Sequence, residues 1–107
     1  MGATKERLKN DLASALRAGD EISKTTIRAL LTAIKSEEVA GDVARALTDA
    51  EELTVVTREG RKRRDSAATY ADAGRQDLAG REEAEAAIIA AYLPQPLSEE
   101  ELRVLIA

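Results

Sequence analysis

The sequence predicts an all-α fold, a small multihelical bundle of about four helices followed by the start of a second small helical domain, and three observations predict it. Apolar residues recur at spacings of three and four in successive stretches, the period of an amphipathic helix. Aromatic side chains are nearly absent, with two Tyr and no Phe or Trp. Burial therefore falls to Leu, Ile, Val and Ala, which suit close-packed helices better than a sheet. Helix ends are marked by their own chemistry, Asp20 and Thr48 as N-terminal caps and Gly19 and Gly74 as stops.

The first helix is expected from about Thr4 to Ala18, with Leu8, Leu12, Ala15 and Leu16 at core spacing and Gly19 ending it. Asp20 caps the second, and so short a turn makes the two antiparallel neighbours. Ile27, Leu30, Leu31 and Ile34 form the clearest apolar stripe in the chain, and Lys24, Arg28 and Lys35 share one flank beside it. From Val39 to Leu47 the period is lost around Gly41 and Asp42, which predicts a loop whose Val43 and Leu47 cover the end of the bundle.

The longest helical pattern runs from Thr48 to Gly74 and opens on a capping box, Thr48 with Glu51. Leu53, Val56, Gly60, Ala67, Ala71 and Gly74 are its expected buried face. A glycine inside a helix costs about 1 kcal/mol relative to alanine, so Gly60 predicts the close approach of another backbone. Arg58, Arg61 and Lys62 project from the opposite side with Asp65 among them, while Arg63 and Arg64 stand on the flanks of the buried stripe. A fourth helix is expected from Arg75 or Gln76 to Tyr92, turning Leu78, Ala84, Ile88, Ile89 and Tyr92 inward and forming a hairpin with the third. Arg81 and Glu85, an i, i+4 pair, lie in or beside that stripe and would meet Arg63 and Arg64 across the seam. Neither Pro94 nor Pro96 can continue a helix. The predicted organisation is thus a bundle over 1–93, a linker over 94–97, and over 98–107 the first helix of a truncated C-terminal domain, opened by Ser98 and Glu101 and carrying Leu102, Leu105 and Ile106.

Composition excludes much chemistry. With neither Cys nor His, the chain has no disulfide framework, no thiolate metal site and no base for a Ser-His or Cys-His nucleophile. Ser23 and Lys24 are adjacent and so point about 100° apart on a helix. No glycine-rich phosphate loop is present, and Glu82, Glu83 and Glu85 read as a solvated helix face rather than a metal site. No catalytic residue, metal or cofactor is expected. No stretch reaches the length of a membrane span and the N-terminus lacks a signal-peptide layout, so a cytoplasmic location is expected. The abundance of Ala and Arg suits a bacterial, GC-rich genome.

Basic residues are the remaining functional candidates. Between Arg58 and Arg64 stand five cations and one acid, a local charge of +4 in a chain of net charge −4. One reading is a solvated or internally paired face. The other is that Arg58, Arg61 and Lys62, joined by Lys24, Arg28 and Lys35, contact RNA phosphates. The shortage of aromatics directs such contact to the backbone and shape of a folded RNA rather than to stacked single strands.

Read together, Lys24-x-x-Ile27-Arg28-x-Leu30-Leu31-x-x-Ile34-Lys35-x-x-Glu38, Leu47-Thr48-Asp49, Arg61-Lys62-Arg63-Arg64-Asp65-Ser66, Ala73-Gly74-Arg75-x-Asp77-Leu78, Glu83-x-Glu85 and Tyr92-Leu93-Pro94-Gln95 resemble the YqeY-like proteins of the GatB/YqeY family over nearly the whole chain. The resemblance implies a bundle of four or so helices joined to a smaller three-helix domain. The same module forms the C-terminal tail of the B subunit of the glutamine-dependent aminoacyl-tRNA amidotransferase, where it helps hold the tRNA while other parts of the enzyme do the chemistry. Association with a carbon-nitrogen ligase using glutamine as amido-nitrogen donor follows from that relationship, not from any residue here. Pro96 stands where the family often has Gln, Gly60 where a larger residue is usual, and the second domain is nearly absent.

The function expected is a non-catalytic tRNA- or RNA-binding or adaptor module. Its alternative is a protein-interaction module, self-associating or covered by a partner of the tRNA-amidation or translation machinery. An accessory subunit of an amide-forming ligase is the third reading.

Overall fold

A computed structural model describes residues 2–95 together with residues 100 and 103. Four helices and no strand are found among them: α1 (Ala3–Ala18), α2 (Glu21–Glu38), α3 (Asp49–Asp72) and α4 (Gln76–Ala90). Residues 96 and 97 of the expected linker and all three apolar residues of the expected C-terminal helix, Leu102, Leu105 and Ile106, lie outside the described residues.

The helix ends follow local chemistry. Gly19 and Gly74 take the left-handed conformation, φ 68° and 76°, which side chains with a Cβ rarely adopt. After α3, Arg75 donates to the Tyr70 carbonyl at 2.8 Å and Gly74 to that of Ala71 at 3.0 Å, so the last turn's carbonyls are satisfied. Asp20 accepts from the Ser23 amide at 3.1 Å and hydroxyl at 2.8 Å, and these bonds lower its pKa. The Thr48–Glu51 capping box is complete in both directions. Past α4, the Gln95 side-chain amide donates to the carbonyls of Ala90 at 2.7 Å and Leu93 at 2.8 Å, capping a helix end that Pro94 cannot extend.

α3 and α4, joined by three residues, form the most extensive helix pair, and α1 with α2 the next. Both pairs are antiparallel: Gly60 faces Ile89 while Arg63 faces Glu85, and Lys5 near the start of α1 reaches Glu38 at the end of α2. The core gathers Leu8, Ile27, Leu30, Ile34, Leu47, Val55, Val56, Ile89 and Tyr92. Tyr92 ties the end of α4 to α1, its hydroxyl donating to Asp11 while the Arg7 guanidinium lies 4.4 Å from its ring centre. Burial, and then the Asp11 carboxylate, raise the Tyr92 pKa.

Several expected core positions are displaced. Leu47 is buried but Val43 is 77% exposed, so the loop closes the bundle with one residue instead of two. Leu16 is half exposed because it falls at the edge of the Leu8–Ala15 stripe. The buried arc of α3 is Glu52, Val55, Val56, Gly60 and Ala67; Leu53 and Ala71 are only partly covered and Gly74 is exposed beyond the helix end. In α4 Ala79, Ala86 and Ile89 are buried, Leu78 and Ile88 are partly covered, and Ala84 is exposed. What approaches Gly60 is a side chain rather than a backbone: a Cβ there would stand 3.3 Å from Ile89 Cγ2.

The rotation of α3 has an identifiable cause. Glu52, fully buried, accepts from the backbone amides of Gly2 at 3.2 Å and Lys5 at 3.0 Å, and Asp49 accepts from that of Ala3 at 2.8 Å. Two helix N-termini, each carrying partial positive charge, thus meet over two carboxylates that neutralise both. Gly2 suits this closeness, since a Cβ on it would lie 2.1 Å from Glu52 Oε1 and would have to displace the capping carboxylate.

Candidate nucleic-acid interface

Burial of Val56, Gly60 and Ala67 fixes which side of α3 faces the core, and 3.6 residues per turn then put Arg58, Arg61, Lys62 and Asp65 on the opposite side. Two rows of i, i+4 neighbours run along that side, Arg58–Lys62–Ser66–Tyr70 and Arg61–Asp65–Thr69, and these seven residues line one shallow hollow. Arg58 is 60% exposed and reaches the Glu37 carboxylate at 3.5 Å, a long, solvated contact. Arg61 and Lys62 are exposed and form neither an ion pair nor a side-chain hydrogen bond among the described residues. Asp65, one turn away, pairs with neither of them.

The α2 cations are spread along their helix. Lys24 is partly covered and pairs with Glu21 at 2.8 Å, whereas Arg28 and Lys35 are exposed and form no ion pair among the described residues. Arg58 meets α2 at Glu37, in its last turn. At about 1.5 Å per residue, Lys24 stands about 20 Å and Arg28 about 13 Å back along the axis from that point. Lys35, two residues before Glu37 and so on nearly the opposite side of α2, instead lines a hollow with Lys5, Glu38 and Arg45 that includes no α3 residue.

Arg45 is the basic residue that sequence reasoning missed. It lies in the aperiodic loop, where spacing carries no signal, and its guanidinium grips Glu51 through two bonds of 2.9 and 2.5 Å. That fork raises the pKa of Arg45, and the charge of Glu37 adds to it. Glu37 therefore lies within electrostatic reach of both Arg45 and Arg58. On the acid side, the Arg45 bonds hold Glu51 down at about 2. Beside the hollow, Lys5 bonds Glu38 at 2.7 Å and lowers its pKa.

The flanking residues behave differently. Arg63 is largely covered and donates to Glu85 at 3.1 Å and Glu59 at 3.2 Å, while Arg81 reaches the other Glu85 oxygen at 3.1 Å. Arg63, Glu85 and Arg81 are one network across the α3–α4 seam. Arg64 is outside it, exposed and without an ion pair among the described residues. The acids of α4 are not the solvated face expected, because the helix turns Glu82 and Glu85 toward the seam and leaves only Glu83 exposed among the three. One Glu82 oxygen is buried without a hydrogen-bond partner. Among the described residues no group of three acids could hold a metal, and no helix is long and apolar enough to cross a membrane.

Fold and surface define a small helical module with a cationic helix face on which Arg61 and Lys62 form no ion pair among the described residues. The chain belongs to the YqeY-like protein family, whose pattern it matches over residues 5–107. It is similar to altered inheritance of mitochondria protein 41, mitochondrial, of the yeast Vanderwaltozyma polyspora, with 40% identity over 90 residues, 80% of this chain and 46% of that protein. The proteins of the same name in Clavispora lusitaniae and Lachancea thermotolerans are each 38% identical, over 86% and 82% of this chain and 52% and 46% of their own lengths. The chain thus spans about half the length of these curated relatives. These relatives are yeast proteins whose names place them in mitochondria, so they support neither the bacterial source nor the cytoplasmic location expected for this chain.

Proposed function

We propose that this chain is a non-catalytic module that binds the phosphate backbone of a folded RNA, tRNA being the first candidate, through Arg58, Arg61 and Lys62 on α3. Lys24, Arg28 and Lys35, on one flank of α2, belong to a separate and weaker contact. The observation that carries the proposal is that Arg61 and Lys62 are exposed and unpaired in a chain whose acids outnumber its bases, 20 to 16. Had the face been internally paired, its cations would hold acids as Arg45, Arg63 and Arg81 do; Asp65, though one turn away, pairs with neither Arg61 nor Lys62. In this reading the module acts in the cytoplasm as an adaptor beside a partner enzyme of tRNA amidation or translation, and the association with a glutamine-dependent carbon-nitrogen ligase is that partner's chemistry.

The test is binding to bulk tRNA across a salt series, beside a variant with Arg58, Arg61 and Lys62 changed to Glu. Affinity should fall with salt at a log–log slope of roughly 2 to 3 for three phosphate contacts. The variant should stay folded by circular dichroism and lose binding. No binding by the wild type at low salt would remove the proposal and leave the protein-interaction or self-associating module in its place.

A further inference from the structure

The α3 hollow is not uniformly basic. Its N-terminal half holds Arg58, Arg61 and Lys62, and its C-terminal half holds Asp65, Ser66, Thr69 and Tyr70. The Thr69 hydroxyl is engaged, donating to the Asp65 carbonyl at 3.1 Å. The Asp65 carboxylate and the hydroxyls of Ser66 and Tyr70 have no partner among the described residues. Tyr70 is one of only two aromatic residues in the chain, and the other is in the core.

A carboxylate inside a phosphate-binding patch weakens it unless the ligand also brings hydrogen-bond donors. A phosphate offers acceptors only, and an acidic peptide would be repelled by Asp65 and leave Tyr70 unused. A ribonucleotide has all the matching parts: an anionic phosphate, a 2′-hydroxyl that can donate, and a flat base. These parts also follow the order of the hollow, since Asp65 lies about 4.5 Å and Tyr70 about 12 Å beyond Lys62 along the helix axis.

We infer that the hollow takes one nucleotide unit of an RNA, its phosphates against Arg58, Arg61 and Lys62, its ribose 2′-hydroxyl donating to Asp65, and its base against Tyr70. The inference rests on the RNA reading above and adds to it selection of ribose over deoxyribose and contact with an unpaired base.

The test measures fluorescence anisotropy with an RNA hairpin and with the same hairpin carrying 2′-deoxy residues in its loop, so that the stem keeps one geometry. Wild type should favour the all-ribose hairpin about tenfold, the scale of one hydrogen bond to a charged acceptor. Asp65→Asn should bring the ratio toward one. If Asp65→Asn instead tightens both hairpins equally and leaves the ratio unchanged, Asp65 is only a repelling charge and the inference is overturned, while the RNA reading stands. Tyr70→Phe should retain affinity and Tyr70→Leu should lose about fivefold or more; an unchanged Tyr70→Leu removes the base contact. Binding of neither hairpin by the wild type overturns the inference and the RNA reading together. Asp65 is exposed, so matching helical content is expected for its variant and is checked by circular dichroism.

Discussion

At the joined N-termini of α1 and α3, Glu52, Asp49, Glu51 and Glu38 each have a donor within 3.2 Å. Two and a half turns further along α3, Arg61 and Lys62 have no partner at all among the described residues. Both regions are rich in charge, and both look like ordinary amphipathic helix in the sequence. The difference lies in what surrounds them. Where a charge is enclosed, as at Glu52, an unmatched group would cost several kcal/mol, and Glu52 is matched by two backbone amides. Where it faces water, leaving it unmatched costs nearly nothing, and an unmatched cation remains able to bind something else. Charge that stabilises and charge that can recognise are therefore separated along a single helix.

That separation can be broken first at Glu52. Glu52→Ala would strand the amides of Gly2 and Lys5, and we expect a loss of about 3 kcal/mol in urea unfolding. A change below about 1 kcal/mol would mean that water replaces the carboxylate and that the end is not closed. Gly2→Ala should cost about 1 to 2 kcal/mol, because the new Cβ collides with the Glu52 carboxylate. In the Glu52→Ala background the same change should cost close to nothing, and simple additivity would show that the two residues do not act on one contact.

The α3–α4 seam tests the intermediate case. An Arg63→Ala, Glu85→Ala cycle should return a coupling of about 1 kcal/mol, more than a solvated pair gives and less than a fully enclosed one. Arg61→Ala and Lys62→Ala should change stability by less than about 0.5 kcal/mol while weakening RNA binding. A large stability loss from either would show a structural role for the exposed face.

The smallest effect is expected from the exposed Arg45–Glu51 fork, and it should appear as a pH dependence. The carboxyl of Glu51 is held at about 2, below its ordinary 4.5, so the folded state binds its proton less readily than the unfolded chain does. The contribution is fully present above about pH 4.5 and is lost as pH falls through about 2. Arg45→Ala should flatten the unfolding profile across that window, with a small loss of stability at neutral pH and none below about pH 2.

How much of this was legible in the chain depends on the range of the interaction. Thr48 with Glu51, Asp20 with Ser23, and the glycines at 19 and 74 all act within a few residues, and each is found at the helix end it marks. The outward side of α3 was legible for the same reason, since Arg58, Arg61 and Lys62 needed only the helical period and an approximate core direction. Arg45 was not legible, because no period governs its loop and its link to Glu37 exists only once α2 and α3 are packed.

By itself the sequence determined the number of helices, their ends and the concentration of positive charge on α3, because these follow from local backbone chemistry and from composition. Tertiary structure alone decided which arc of α3 is buried, that Glu52 caps a helix 47 to 50 residues away, that Arg63 is tied down while Arg64 is not, and that Gly60 makes room for Ile89. Those outcomes depend on which groups are brought together across the fold. Helical spacing sets the direction in which a side chain points but cannot say what it will meet there.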